Sequence, residues 1–520
     1  MKIKILIGLA FCFFAFPVNA QEIEEVIVVG STVEEFSTDH VDDDSLLEVI
    51  TPMAEFTQGG FGGYVGYTDR GTQSKHTSVY RNGVPVNDAG AGWYDFAHDI
   101  TTGNESVKIV SGANSVLYGS ASMAGTIFIN DNFDQKAFAS YGDNYEKFYA
   151  GYKNVSISRF DVSNGSVKTD NNEIDSYVNT TARAKAKLLS FDVVANYTDY
   201  DYDYDGCYNA SWAKTDDCQQ KGDKGGLSIR NDFLTIGYNY NNATYFTEDV
   251  ETSKGEAERY FVDARQAVIE TKEVSTIVGA SFTQEVYNNN DREEYSIYSV
   301  LNYKDLFDIG VRASEDYVVG RLGVAYELFF ANAGTSFRSP TLNEINGDAW
   351  TLPNPDLEPE EAFGFEIGYG SVSYFNYEFS EGIDYVYSVG QYVNTGEYDT
   401  QGLRFNDSFS VPWGGLGVDI RYTDTDQFRV PRWSGNLNYF ASVNGWNINT
   451  SWSFVNDRKP SPYDGDTLED YDTFNISLSR LIGNDITISG SIRDLFDNNF
   501  EIVPGYRAGG RTFVLTLTWQ

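Results

Sequence analysis

From about Lys136 to Trp519 the chain is a succession of segments of about 8 to 12 residues in which apolar and polar positions alternate, separated by Gly, Asn and Asp clusters. In Trp446 to Phe454, for example, Trp446, Ile448, Trp452 and Phe454 alternate with Asn447, Asn449, Ser451 and Ser453. Phe474, Ile476 and Leu478 alternate with Asn475 and Ser477, and Phe513, Leu515, Leu517 and Trp519 with Thr512, Thr516 and Thr518. A period of two is the signature of strands with one apolar face. The count comes to 22 segments, at about 17 or 18 residues each with its connection. A soluble β-sandwich that buries its apolar face gives the same alternation. The number of segments and the aromatic residues near their ends instead fit strands whose apolar face meets lipid between aromatic girdles. Backbone groups in lipid must all be paired, so the β solution is a closed one. The expected fold class is all-β, a 22-stranded antiparallel transmembrane β-barrel.

The N-terminus supports this. Lys2 and Lys4, an apolar run from Ile5 to Phe16, Pro17 and the small-residue end at Ala20 have the layout of a secretory signal peptide. The run is too short for the ~20 residues a spanning helix needs. Cys12 follows Phe11, where a lipoprotein signal requires a small residue. The composition is aromatic and polar together, with 37 Tyr, 35 Phe and 8 Trp against 12 Pro. No Pro-rich or low-complexity linker divides the chain. Net charge is -39 and becomes about -41 once Lys2 and Lys4 are removed, which argues against nucleic acid or another polyanion as partner.

Three ordered blocks before the alternating region carry further information: Arg70-Gly71, the hairpin-like YRNGVPVND (Tyr80 to Asp88), and ESVKIVSGANSVLYGSASMAGTIFIND (Glu105 to Asp131). Together they resemble the plug domain of the TonB-dependent outer-membrane receptors. FRSPTLNEI (Phe337 to Ile345), NPDLEPEEAFGFEIGYG (Asn354 to Gly370), SIRDLFDNNF (Ser491 to Phe500) and the closing GRTFVLTLTWQ resemble mid-barrel and terminal blocks of the same family. The resemblance implies a small α+β plug inside the lumen of the barrel, in a compact member similar to the cobalamin and siderophore receptors. The expected organisation is a signal peptide at 1–20, a flexible arm at 21–44, a plug at 45–131 and a barrel at 132–520. Lys108 stands where the family has glutamate, and Ser111-Gly112-Ala113 where it has Arg-Gly-Pro. Plug-to-barrel ion pairs known from the family therefore do not carry over at these positions.

Within that frame, Glu24, Glu25, Val26, Ile27, Val28, Val29 and Gly30 resemble a TonB box, a Val-rich extended strand able to pair by β-augmentation with the energy-transducing TonB complex. The alternative is a first strand of the plug. Tyr64 and Tyr67, set among glycines, and Trp93, Tyr94 and His98, after the VPVND hairpin, are the candidate substrate contacts. Trp93 packed on the inner barrel wall is the competing reading. Asp199, Asp201, Asp203 and Asp205 alternate with Tyr200, Tyr202 and Tyr204, so a strand puts all four carboxylates on one side. Either solvent screens them or a calcium ion sits among them in an extracellular loop. DYDYDG resembles the opening of an EF-hand, but its twelfth position is Trp212, which excludes a true one. Once the signal is removed Cys207 and Cys218 are the remaining cysteines, and a disulfide is expected in an oxidising compartment, worth roughly 3 kcal/mol.

The expected function is TonB-dependent active transport of a scarce metal chelate or vitamin across the outer membrane of a Gram-negative bacterium, by a monomer embedded in lipid and lipopolysaccharide, with no cofactor required. The alternative is a passive porin-like channel or an outer-membrane adhesin. His40, His76 and His98 all precede the barrel, and no Ser, His and Asp set appears in the barrel segments, so an enzyme is not expected.

Overall fold

The computed structural model describes residues 29, 31, 33–37, 54–56, 62–143, 145–162, 175–315, 317–348, 351–412, 414–461, 468–498, 500–507 and 510–520. The expected signal peptide and all of the TonB-box-like segment except Val29 lie outside these residues. Among them, 22 antiparallel strands close into one barrel, from Lys136–Gly142 to Thr512–Trp519, and those two strands pair to seal it.

The side-chain pattern settles which way the apolar face points. In Thr512–Trp519, Phe513, Leu515, Leu517 and Trp519 are exposed, Leu515 at 60%, while Val514, Thr516 and Thr518 are buried, Thr516 at 1%. A soluble sandwich shows the reverse. Here the exposed apolar stripe is a lipid-facing surface, and the lumen is lined by polar and charged side chains interspersed with aromatic ones such as Tyr177, Tyr200 and Phe375. Adjacent strands are joined at one end by tight turns, such as the one at Lys304 and Asp305, both at positive φ. Long connections, among them 205–217, 339–359, 459–470 and 494–511, leave the strands at the other end, which is the extracellular side of such barrels. Some outer turns are equally tight, as at Glu248-Asp249 and Asn288-Asn289.

Inside the barrel lies a five-stranded sheet in the order Val33–Ser37, Glu105–Ser111, Gly125–Asp131, Thr77–Arg81, Val84–Pro85. Thr77–Arg81 runs parallel to Gly125–Asp131 and the other pairs are antiparallel. Ser115–Tyr118 forms a single helical turn between the two central strands, and Ser74–His76 and Phe96–His98 are 3-10 turns. The helical share of the plug is thus small. Its core is built by Val65, Tyr67, Val79, Val107, Ile109, Ile127 and Ile129.

Buried charge joins plug to wall. Arg70 Nη2 donates to Glu366 Oε1 at 2.8 Å, and Asp69 lies 3.6 Å from Arg421. Lys75 and His76 both reach Glu360 at 2.9 Å, and Arg338 holds the same carboxylate. On the opposite side Arg183 pairs with Glu105 and approaches Asp131 at 3.5 Å. Burial alone would raise the Glu105 and Asp131 carboxyls. The guanidinium of Arg183 outweighs it at Glu105, and those of Arg81 and Arg183 at Asp131, holding both below the usual carboxylate range. Replacing one partner of such a pair strands the other in a dry site, at about 3–5 kcal/mol. Arg183→Ala is therefore expected to lower the thermal midpoint of the detergent-solubilised protein and to open the plug to protease; an unchanged midpoint and cleavage pattern would contradict the clamp.

Candidate functional site

The hairpin Thr77–Arg81 to Val84–Pro85 projects its return segment towards the face with the long loops. Asp88 shapes the loop after it: its Oδ1 accepts from the N–H groups of Gly90 and Ala91 at 2.8 Å, and its N–H donates to the Trp93 carbonyl at 2.8 Å. Gly90 is required by proximity, since a Cβ there would sit 2.4 Å from the Tyr287 ring of the barrel. Asn241 Nδ2 donates to Asp88 Oδ2 at 2.9 Å, which ties the loop to the wall.

Between this loop and the strands from Tyr177 to Tyr287 lies an open cavity of about 860 Å³. Its plug side presents Tyr64, Trp93, Tyr94, Asp95 and His98, and its barrel side Tyr200, Tyr202, Tyr204, Lys224, Tyr245 and Tyr287. Trp93 packs edge-on against Tyr64, with centroids 5.4 Å apart. It is only partly buried, so an indole face remains on the cavity. Tyr94 donates its hydroxyl to Asp99 and lies under Lys224 Nζ, 5.0 Å from its ring centroid. Lys224 also stands 3.6 Å from Asp99. Burial would raise Asp99, but Lys224 and Arg81 hold it low. His98 is stacked on Tyr200 at 3.7 Å between centroids and lies within 3.2 Å of the Tyr177 hydroxyl. Burial, followed by Lys224, drives its pKa well below 6.5, so it is a neutral imidazole in the cavity floor.

Four of the five expected contacts, Tyr64, Trp93, Tyr94 and His98, line this one cavity. Tyr67 does not. It is 3% exposed and belongs to the plug core, because residues three apart in an extended segment point to opposite sides and Tyr64 takes the cavity side. The aspartate row is also corrected. Asp201 pairs with Lys221 at 3.1 Å, Asp203 accepts from Ser176 Oγ at 2.6 Å and from Gln219 at 3.2 Å, and Asp205 lies beyond the strand end. Alternate residues along a strand are about 7 Å apart, too far for Asp199, Asp201, Asp203 and Asp205 to share one calcium ion. Among the described residues no three His, Cys, Asp or Glu side chains gather closely enough to hold a metal. The tyrosines of the same strand, Tyr200 and Tyr202, face the lumen and line the cavity. Cys207 and Cys218 are joined by a disulfide that staples the following outer loop.

Sequence reasoning missed the lumen-facing partners of the plug: Arg183, Lys224, Glu360, Glu366 and Arg421. Charged residues at the polar phase of the alternation were the available signal.

Residues 56–495 match the family model for the TonB dependent receptor-like β-barrel. The chain belongs to the TonB-dependent receptor family. Membership places it in the outer membrane of Gram-negative bacteria and implies energisation through TonB. It is 24% identical over 574 aligned positions to the vitamin B12 transporter BtuB of Photobacterium profundum, covering 96% of this chain and 94% of that one. Among solved structures it is similar to the ferric enterobactin receptor PfeA of Pseudomonas aeruginosa, with a TM-score of 0.74 at 12% identity over 94% of this chain and 99% of that one. It is also similar to the siderophore receptor PirA of Acinetobacter baumannii, with a TM-score of 0.71 at 13% identity over 94% and 98%. At that identity the structures speak for the fold.

One group in the cavity titrates near neutrality. Burial pushes the Asp95 carboxyl up to about 6, against the N–H groups of Val65 and Ala97 and the charge of Lys224, which favour the anion. A raised carboxyl pKa means the native state holds a proton that the unfolded chain has released. The ionised form therefore costs stability, and the cost grows as pH rises from about 4 to about 6 and is constant above. Asp95→Asn keeps the acceptor oxygen and removes this step. The variant is expected to gain thermal stability over the wild type as pH rises through that window, whereas a pH-independent difference would contradict the shift.

Proposed function

We infer that this receptor is an active importer of a neutral or cationic metal chelate or vitamin, bound between the Asp88 to Asp95 loop of the plug and the tyrosine-lined wall of the barrel. The observation that carries the reading is the cavity itself, since its two sides belong to the two parts of the protein that must move relative to each other during import. A ligand touching both couples its own binding to the position of the plug, and the segment Glu24 to Gly30, read from its sequence, supplies the handle by which TonB pulls.

The chemistry of the lining selects the substrate class. Tyrosine and tryptophan faces suit a large, flat or sugar-bearing ligand and attract cations, and Asp88 and Asp95 repel anions. The cations on the wall are each already engaged with a carboxylate, Arg183 with Glu105, Lys224 with Asp99 and the Tyr94 ring, and Lys254 with Glu256. BtuB carries vitamin B12, and a neutral corrinoid of that kind fits this balance better than an anionic ferric siderophore. The relatives are transporters and receptors, which supports transport as the role of this chain. A monomer surrounded by outer-membrane lipid is sufficient, because plug and barrel of one chain complete the site. A passive pore or adhesin would have no use for a clamped plug.

Deleting residues 24–30 is expected to abolish energised uptake of labelled vitamin B12, or of ferric chelates of graded charge, while leaving equilibrium binding to whole cells intact; undiminished uptake would defeat the import mechanism. In the same assay Trp93→Ala is expected to weaken binding by roughly tenfold or more, as truncation of a central aromatic contact does. Equal affinity in wild type and variant would move the site elsewhere.

A further inference from the structure

The barrel wall is not sealed along its whole height. Strands Val318–Tyr326 and Phe329–Arg338 pair from Tyr326 and Phe329 only as far as Arg321 and Gly334. Beyond that point Val318, Val319 and Gly320 on one side, and Thr335, Ser336 and Phe337 on the other, have no ladder partner across the seam, although each side remains paired with its outer neighbour. The last bond across is an improvised one, from the Gly320 N–H to Thr335 Oγ1 at 3.0 Å. The plug occupies the inner side of the parting. Phe337 accepts from the Ala121 N–H at 3.1 Å and donates to Ser115 Oγ at 3.4 Å, and its ring packs with Val116 and Leu117 of the plug. The outer side is a cleft of about 600 Å³.

Unpaired backbone at membrane depth is costly unless something polar or shaped fills it. The cleft has an apolar lip, formed by Val318, which is 73% exposed, and Phe363. Deeper in, Ser336 is 2% exposed and its Oγ has no partner among the described residues. Above it Glu378 and Asp399 stand directly opposite each other on adjacent strands, both exposed, with Glu361 and Glu397 beside them. Like charges in direct cross-strand register are destabilising and call for a cation. On the outward faces of these strands the exposed Val372 lies to the periplasmic side of Glu378 and the exposed Leu403 to the periplasmic side of Asp399, so the carboxylates stand above apolar positions, where the outer leaflet presents phosphates cross-linked by divalent ions.

We propose that this cleft is a lipid-binding site in the outer wall of the barrel, taking an acyl chain of one lipid A molecule whose phosphate is bridged through a divalent cation to Glu378 and Asp399. The acyl chain lies against Val318 and Phe363 and seals the parted seam, and the inner side stays closed by the plug turn at Ser115–Tyr118. The pair of carboxylates does not hold the ion alone; the phosphate completes its coordination. This site is separate from the substrate cavity and stands whether or not the substrate reading is correct.

The test is native mass spectrometry of the full-length protein in a non-ionic detergent, titrated with lipid A in the presence and absence of magnesium and, in parallel, with phosphatidylglycerol. One lipid A per barrel is expected, retained about tenfold more tightly with magnesium than without, and more tightly than phosphatidylglycerol. Val318→Trp, which fills the cleft from an exposed position, is expected to remove this retention, and Glu378→Gln with Asp399→Asn to remove the magnesium dependence while weaker binding survives. Heat-modifiable migration on gels establishes that each variant is a folded barrel. Lipid A binding unchanged by both sets of substitutions, or equal binding of phosphatidylglycerol, would overturn the assignment.

Discussion

A strand in lipid can place its backbone hydrogen bonds only on another strand, and every other feature of this protein follows from that constraint. It forces the sheet to close, and closing 22 strands makes a lumen too wide for side chains to fill. A second folded unit must occupy it or the membrane leaks. Apolar contact holds that unit only in patches, such as Met123 against Phe375 and Phe379 and Ile100 against Phe160 and Val162, because most apolar positions of each strand are already turned towards lipid. The polar phase of the alternation is what remains, so plug and wall meet through buried ion pairs: Arg70 with Glu366, Lys75 and His76 with Glu360, Arg183 with Glu105.

A charged clamp has a property that an apolar one lacks. Its energy depends on geometry and on the exclusion of water, so a modest displacement that admits solvent dissolves it, whereas an apolar interface weakens in proportion to area. The clamps lie at two opposite sides of the plug, and the cavity proposed for substrate lies beside the Arg183 set, bounded by Arg81, Asp99 and Arg183 at its depth. Cavity, clamp and loop are therefore contiguous. The seam at Val318 to Gly320 extends the same logic to the wall, where the plug supplies bonds that a neighbouring strand does not.

The barrel was legible in the sequence because period-two alternation is a local property that burial on one face imposes on every strand. Trp446–Arg458 and Tyr471–Ile482 contain the segments expected from alternation alone, with bounds a few residues wider. The plug was legible through its blocks, and the cavity through aromatic residues following a hairpin. What resisted reading was register across the lumen. Nothing in the spacing of Arg183 or Glu360 says which plug residue it meets, since that depends on how a sheet is docked inside a cylinder. The aspartate row misled for a related reason. Alternation put Asp199, Asp201 and Asp203 on one side of the strand, with Asp205 beyond its end, but side alone does not bring charges together, and the tyrosines on the opposite side face the cavity. Tyr67 was placed with Tyr64 because both are set among glycines, and glycine freedom does not say which side of the chain a tyrosine takes.

The most direct test of a clamped plug is conductance across a planar lipid bilayer. The purified protein is expected to show no steady current, and a version lacking residues 21–131 to conduct as a wide open channel. A large constitutive current through the intact protein, equal to that of the truncated one, would show that the lumen is not filled and would contradict the account.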